Sequence, residues 1–248
     1  MAMYSIFFSP TGCTRKCADL LLAGLGSADC IDITVRGAAQ AFCRDDICVV
    51  AVPAYAGRVP AVATERLRML RGNGARAIAL VAFGNRAIDD TLLELKNELD
   101  AVGFVTIAGV EAVTEHSVVR TFGAGRPDSD DAAELLAYAK KIKEKLTAGK
   151  TGLKVPGNFP YKPYGSNSLK PTGSDTCDGC GRCVQECPVG AINPDAPKDV
   201  DTAVCISCMR CISICPIGAR GLAREALEAA AGRMAAVCGG HKNNALYL

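Results

Sequence analysis

The chain has 248 residues, of which 49% are hydrophobic and 22% charged, and its formal net charge is +2. This composition is typical of a soluble globular protein. No segment approaches the roughly 20 apolar residues that a membrane-spanning helix needs, the first ten residues lack the basic start of a signal peptide, and no face is basic enough to indicate nucleic-acid binding. We therefore expect a cytoplasmic protein with no membrane span and no nucleic-acid partner.

Residues 1–147 alternate short apolar, β-branched runs with longer segments of helical periodicity. The five predicted strands are Tyr4–Phe8, Cys30–Val35, Ile47–Val52, Ala77–Ala82 and Phe104–Val113. The four predicted helices are Thr14–Leu25, Pro60–Leu70, Ala87–Ala101 and Asp128–Leu146. Strands that alternate with helices build a parallel sheet with both faces covered, so we expect an α/β domain with a doubly wound, five-stranded parallel sheet.

The loop between the first strand and the first helix combines hydroxyl groups with a glycine, and its candidate ligand-binding residues are Ser9, Thr11, Gly12, Cys13 and Thr14. Backbone N–H groups at a helix N-terminus and side-chain hydroxyls suit a phosphate group. An ordinary strand-to-helix turn favours the same residue types, so that alternative stays open. Cys13 is either a plain loop residue or a thiol whose pKa the helix N-terminus lowers. Because the G-x4-G-K pattern is absent, a nucleoside triphosphate is not indicated.

Two further loops follow the third and fourth predicted strands. The first contributes Pro53, Ala54, Tyr55, Ala56, Gly57 and Arg58, and the second contributes Phe83, Gly84, Asn85 and Arg86. Ligands of a doubly wound sheet bind beyond the carboxyl ends of its strands, so we expect these loops to share one cofactor site with the first loop.

Four side chains around this edge have open roles. Tyr55 is the candidate ring for stacking on a flat cofactor, while Arg58 and Arg86 either approach the edge of that cofactor or form surface ion pairs. His116, after the fifth strand, is either a proton donor at the cofactor or a hydrogen-bonded loop histidine.

Residues 148–173 are rich in Gly, Pro and Lys and contain four lysines but no acidic residue, which predicts a linker. Its aromatic residues suggest that it lies across a surface, with Phe159 and Tyr161 as anchors. Beyond a small domain at 174–221, residues 222–248 are expected to form a helix, Leu222–Val237, and a tail that carries no pattern.

The small domain contains one cysteine spacing written twice. Cysteines at 177, 180, 183 and 187 recur twenty-eight residues later at 205, 208, 211 and 215, and a proline follows each fourth cysteine. The spacing C-x2-C-x2-C-x3-C-P is that of thiolates that hold iron–sulfur clusters, in which the fourth cysteine ligates the other cluster. One [4Fe–4S] cluster is therefore predicted on Cys177, Cys180, Cys183 and Cys215, and the other on Cys205, Cys208, Cys211 and Cys187. Structural zinc is the alternative, but zinc sites use pairs of cysteines.

These two halves resemble two known families. Residues 174–221 resemble bacterial two-[4Fe–4S] ferredoxins through the doubled cysteine spacing, and residues 1–147 resemble flavodoxins through the loops that follow the strands. Together with residues 155–158 and 160–162 of the linker, the whole pattern is similar to a family of flavodoxin–ferredoxin fusion proteins of anaerobes. This resemblance implies FMN as the cofactor, the strand order 2-1-3-4-5, a small α+β ferredoxin-like domain and low-potential one-electron transfer. The chain departs from many flavodoxins because it contains no tryptophan, which leaves Tyr55 as the candidate stacking ring.

The resulting functional hypothesis is an electron carrier in which FMN and two [4Fe–4S] clusters exchange electrons with a redox protein partner, either a ferredoxin or a reductase or acceptor enzyme. The alternative is a flavin-dependent reductase of a small molecule that uses the clusters as an internal relay. A cluster-dependent scaffold or sensor without flavin is a third class. No G-x-G-x-x-G fingerprint is visible, so direct oxidation of NAD(P)H is not predicted. No catalytic residue is assigned.

Overall fold

The computed structural model describes residues 1–149, 151–165 and 169–248. Its strands are β1 (Met3–Phe7), β2 (Asp29–Asp32), β3 (Gln40–Ala41), β4 (Ile47–Pro53), β5 (Leu70–Arg71), β6 (Arg76–Phe83), β7 (Val105–Val113), β8 (Thr172–Gly173), β9 (Arg220–Gly221) and β10 (Ala245–Tyr247). Its helices are α1 (Cys13–Leu25), α2 (Ala61–Leu67), α3 (Thr91–Ala101), α4 (Ser129–Thr147), α5 (Arg182–Gln185), α6 (Arg210–Ser213) and α7 (Arg224–Cys238). Within these described ranges, no helix combines the length and the apolar character that crossing a membrane requires.

One six-stranded sheet organises the first half of the chain, with its strands in the order β10-β7-β6-β4-β1-β2. Strands β2, β1, β4, β6 and β7 are parallel neighbours. Numbered among themselves along the chain, they lie in the order 2-1-3-4-5, which is the flavodoxin-like doubly wound arrangement. The sixth strand, β10, pairs antiparallel with β7 and comes from the tail for which the sequence predicts no structure. The predicted count of five is therefore corrected to six.

Two hydrophobic cores cover the two faces of this sheet. Leu67 of α2 and Leu92, Leu95 and Leu99 of α3 belong to one core, and α1 and α4 pack on the other through residues such as Leu21 and Leu135. Strands buried on both faces read as continuous apolar runs, as β4 and β6 do. Helices therefore cover both faces of the sheet, and ligands of such sheets bind at the carboxyl ends of the strands.

The linker is attached to α3 and to the residue before it by hydrogen bonds. Asp90, the residue before α3, is buried, and its carboxylate accepts hydrogen bonds from the backbone N–H groups of Asn158 (2.8 Å) and Lys162 (2.7 Å). The predicted anchor Tyr161 contacts Asn97, whose Nδ2 donates to the phenol oxygen at 2.7 Å. The other predicted anchor is wrong, because Phe159 is 78% exposed and packs its ring edge-on against Tyr161. Lys150 and residues 166–168 of the predicted linker lie outside the described residues.

After the small cysteine-rich unit, α7 leads the chain back to the sheet. The tail is fixed there by Asn244, which is buried; its Oδ1 accepts from Val113 N at 2.8 Å and its Nδ2 donates to Asp131 and Glu134. Strand β10 then extends the sheet beyond β7. Hydrogen bonds from Arg66 to Pro188 O and from Arg210 to Pro10 O join the cysteine-rich unit directly to the sheet domain.

Candidate functional site: two cysteine cavities beside a phosphate loop

Two cavities in the small unit are each lined by four of the repeated cysteines. Both are partly open to solvent, and the first is lined by Cys177, Cys180, Cys183 and Cys215. The second is lined by Cys187, Cys205, Cys208 and Cys211. These are the two groups that the spacing predicts, with the fourth cysteine of each run exchanged between cavities. Across the described residues, no three His, Cys, Asp or Glu side chains are placed to hold a single metal ion.

The backbone around these cavities repeats as closely as the cysteines do. Left-handed residues recur at an offset of twenty-eight, in the pairs Gly179 and Ser207, Gly181 and Met209, and Gly190 and Gly218. The second copy keeps this conformation at Ser207 (φ +54°) and Met209 (φ +61°), where it is unfavourable for a side chain. Conformations that cost energy persist where the surrounding structure imposes them, so the loop shape is a shared requirement of both sites.

Backbone N–H groups point at the cysteine sulfurs. Ala191 N donates to Cys187 Sγ at 3.3 Å, and Ala219 N donates to Cys215 Sγ at 3.2 Å, again at equivalent positions of the repeat. Burial alone would raise the pKa of Cys215, but backbone N–H groups of residues 217–220 together lower it below the ordinary thiol value. Such hydrogen bonds favour a thiolate, the form that binds iron. Burial raises the pKa of the Cys208 thiol to about 12 in the protein without metal.

The carboxyl ends of β1, β4 and β6 lie side by side in the sheet, so the three predicted loops meet at one edge. Gly12, at φ +88°, precedes α1 and has no atom within 4 Å of the position that a side chain would occupy. Ser9 is buried; its hydroxyl accepts from Arg15 N (3.0 Å), and its own N–H donates to the hydroxyl of Thr34 (2.8 Å). This loop keeps open space beside a helix N-terminus, which suits an anion. The sequence analysis did not identify Thr34 as its support.

Several side chains predicted to contact the cofactor form hydrogen bonds or ion pairs with other protein groups. Both Nε and Nη2 of Arg58 donate to Glu94, at 2.8 and 2.7 Å, and its guanidinium lies between the rings of Tyr161 (4.9 Å) and Tyr164 (4.1 Å). The ion-pair alternative for Arg58 is therefore the one observed, and the pair is buried rather than on the surface. Both amide protons of Asn85 are used by the tail, through Cys238 O (2.6 Å) and Gly240 O (2.8 Å).

Of the alternatives given for Arg86 and His116, the structure shows an ion pair for Arg86 and a hydrogen-bonded loop histidine for His116. Arg86 forms an ion pair with Asp89. Nδ1 of His116 accepts hydrogen bonds from Val118 N (3.2 Å) and Val119 N (3.1 Å). Burial lowers the pKa of His116, and the charge of Arg86 adds to the effect, so the imidazole stays neutral at neutral pH. His116 is accordingly a hydrogen-bonded loop histidine.

The cysteine-rich unit packs directly on this sheet edge. Ile206, which lines the second cavity, contacts the same core as Ala54. Burial raises the pKa of Tyr55 well above its ordinary value, and the charge of Cys208 adds to that effect. The second cavity therefore faces the predicted cofactor edge. In the first cavity, Cys180 is exposed and Ile217 is 49% exposed.

Arg210 is a residue of this contact that the sequence analysis missed. Its Nη1 donates to Pro10 O at 3.3 Å, in the loop between β1 and α1 that is the candidate phosphate loop, and its Nη2 pairs with Glu186. Its Nε is buried and finds no hydrogen-bond partner among the residues described. A second arginine, Arg66, spans the contact by donating to Ile33 O, Thr34 O and Pro188 O. A positively charged side chain of the cysteine-rich unit thus contacts the loop between β1 and α1. Only the tertiary structure could show this contact.

Comparison with known proteins matches residues 172–225 to the family model of the 4Fe-4S dicluster domain. No curated protein sequence matches the chain. Among solved structures, a flavodoxin of Streptococcus pneumonia TIGR4 is 18% identical and covers 58% of this chain and 99% of its own, with a TM-score of 0.41. A flavodoxin from the domain Archaea is 13% identical and covers 59% of this chain and 99% of its own, also with a TM-score of 0.41.

The strand order of the sheet and the match of the cysteine-rich unit concern different parts of the chain. The parallel strands within residues 1–147 have the flavodoxin-like order, and the dicluster match begins at residue 172. The chain therefore joins an N-terminal domain of flavodoxin-like fold to a C-terminal 4Fe-4S dicluster domain.

Proposed function

We propose that this chain is an electron-transfer iron–sulfur flavoprotein that binds FMN at the sheet edge and two [4Fe–4S] clusters in the cysteine cavities. The observation that carries the proposal is the position of the second cavity against that edge, where Ile206 packs on the same core as Ala54 and Arg210 reaches Pro10. Bound FMN would supply a carrier of two electrons and the clusters carriers of one electron each.

The chain's own residues would bind and orient these groups. Cys177, Cys180, Cys183 and Cys215 would hold one cluster, and Cys205, Cys208, Cys211 and Cys187 the other, since these sets line the two cavities. The hydroxyls and N–H groups of Ser9, Thr11, Gly12, Cys13 and Thr14 would receive the FMN phosphate, and the arginine at position 210 would add a positive charge beside it.

The positions of the two cavities support an order for the proposed electron route. The second cavity lies against the proposed flavin edge, and the lining of the first includes an exposed cysteine, Cys180, and an exposed isoleucine, Ile217. A redox protein partner would accordingly dock at the first cavity. The domain boundaries proposed for this arrangement are 1–147, 148–173, 174–221 and 222–248.

Anaerobic purification followed by iron, sulfide and flavin analysis tests the proposal. We expect about eight iron atoms and eight sulfides per chain from two cubane clusters, with one FMN. Protein that carries the clusters but binds no flavin would contradict the flavoprotein assignment and leave a cluster-dependent scaffold or sensor.

A substitution in the phosphate loop tests the flavin site separately. Thr14 is buried at the start of α1. Losing a hydrogen bond to a charged group costs about 1.5–3 kcal/mol, so Thr14→Ala should weaken FMN binding by roughly ten- to a hundredfold while the iron content stays unchanged. Fluorescence titration of the deflavinated protein measures this, and Thr147→Ala at the exposed end of α4 is the matched control. Equal FMN affinity of both variants would place the phosphate elsewhere.

A further inference from the structure

Arg220 is a buried cation of the dicluster domain with an unusual set of partners. It is 4% exposed; its Nη2 donates to Pro171 O at 3.0 Å and its Nη1 to Pro197 O. Nη1 also lies 3.9 Å from Cys183 Sγ. Over the described ranges of the chain, its Nε has no hydrogen-bond partner and its guanidinium forms no ion pair with a carboxylate.

A buried guanidinium without a negative partner is costly, since arginine is rarely fully buried unless paired. Arg220 lies beside a cysteine of the first cavity and also acts on a cysteine of the second. Cys183 lines the first cavity and Cys211 the second. Burial raises the pKa of Cys211, and Arg220 opposes that rise through its charge and a side-chain hydrogen bond. One positive charge therefore contacts Cys183 of the first set and acts electrostatically on Cys211 of the second.

The internal repeat shows that this charge is not a general property of the dicluster loop. Twenty-eight residues earlier, the position equivalent to Arg220 is Ile192, which is equally buried at 3% exposure. Ile192 lines the second cavity as Arg220 lines the first. An isoleucine satisfies the packing at this position of the fold, so packing alone does not account for an arginine.

We propose that Arg220 is the shared counter-charge of the two clusters and raises the reduction potentials of both. This inference rests on the two-cluster part of the proposed function. Reduction adds one electron and hence one negative charge to a thiolate-ligated cluster, and the guanidinium of Arg220 supplies a positive charge beside it. A fixed positive charge in a buried setting favours the more negative, reduced state, and cluster potentials depend on charge and hydrogen bonds at the sulfurs.

The test compares Arg220→Met and Arg220→Lys with Arg182→Met in the full-length chain reconstituted with clusters. Arg182 is the matched control because it lines the first cavity too but is exposed, where solvent screens its charge. Iron and sulfide content is measured first, and reduction potentials are then obtained from titrations followed by electron paramagnetic resonance. We expect Arg220→Met to retain both clusters and to lower the reduction equilibrium constant of each by about tenfold or more, which is about 59 mV for one electron. Arg220→Lys and Arg182→Met should shift it by much less.

Each other outcome also decides the question. If Arg220→Met retains both clusters and its potentials move no further than those of Arg182→Met, the counter-charge role is overturned. If Arg220→Met loses iron while Arg220→Lys retains it, the charge is needed even for assembly, which supports the role. Loss of iron from both Arg220 variants would show that the shape of the guanidinium matters rather than its charge and would overturn the proposal. A wild-type protein without about eight iron atoms would instead contradict the two-cluster function itself.

Discussion

Arg58 illustrates how one residue connects three separate segments of this chain. It follows β4, pairs with Glu94 of α3 and is covered by Tyr161 and Tyr164 of the linker. The side chains of Arg58 and Glu94 are only 11% and 3% exposed. Removing one member of a buried pair leaves the other charge without compensation, which is far more destabilising than losing a pair at the surface. These four side chains together therefore attach the linker to the sheet domain.

Glu94→Gln tests that role. We expect it to lower the free energy of unfolding by about 3–5 kcal/mol, because Arg58 remains buried and charged, and to leave bound FMN unchanged at low temperature. Denaturant unfolding of the holoprotein measures the first and flavin absorbance the second. Glu98→Gln is the matched control, since its partner Arg68 has a side chain that is 61% exposed, and it should cost less than about 1 kcal/mol. If the Glu94→Gln protein has normal stability but has lost its flavin, the structural role is contradicted and Arg58 acts at the cofactor site.

At the level of elements, α4 and the C-terminal tail stabilise each other through a single carboxylate. Asp131 completes a capping box with Asp128 at the start of α4. Its Oδ1 also accepts from Asn244 Nδ2 at 2.8 Å, and it pairs with Arg126. The helix cap thereby becomes the attachment point of the segment that leads into β10. Burial alone would raise the pKa of Asp131, but the hydrogen bonds from Arg126, Asp128 and Asn244 hold it at about 2.

This lowered pKa predicts a pH dependence with a defined sign. An ordinary aspartate has a pKa of about 3.9, so the contribution of Asp131 to stability is complete above about pH 4 and is lost as the pH falls towards 2. Asp131→Asn should be less stable at pH 6 and should lose less additional stability between pH 4 and pH 2. The midpoints of urea unfolding, followed by far-ultraviolet circular dichroism, measure this difference. Asp19→Asn is the control, because Asp19 belongs to an exposed ion pair. Loss of the clusters at low pH affects both variants equally, so comparing them isolates the effect of Asp131. Parallel pH curves for wild type and Asp131→Asn would refute the assignment.

At the scale of the whole molecule, the sequence predicts those elements that carry a recognisable pattern within their own residues. Apolar runs and helical periodicity place the parallel strands and their helices within a few residues, and a repeated cysteine spacing assigns each thiol to a cavity. Strand β10 has three residues and is defined by its pairing with β7, so its sequence carries no period of its own. The partners of Arg58 come from α3 and the linker, and those of Asn85 come from the end of α7 and the tail, all distant in sequence. Loop chemistry alone therefore could not distinguish a flavin contact from a structural one at these positions.

The same reasoning applies to the contact between the two domains, which the sequence did not predict and on which the proposed electron route depends. Arg210 joins Glu186 of the dicluster domain to Pro10 O of the phosphate loop. We expect Arg210→Ala to keep about eight iron atoms, to bind FMN more weakly because a cation beside the phosphate is lost, and to slow electron exchange between flavin and clusters. Stopped-flow absorbance after rapid reduction measures that exchange at saturating FMN. Arg224→Ala, which removes an exposed pair on α7, is the control. Exchange at the wild-type rate in Arg210→Ala would mean that this contact does not hold the second cavity against the flavin edge.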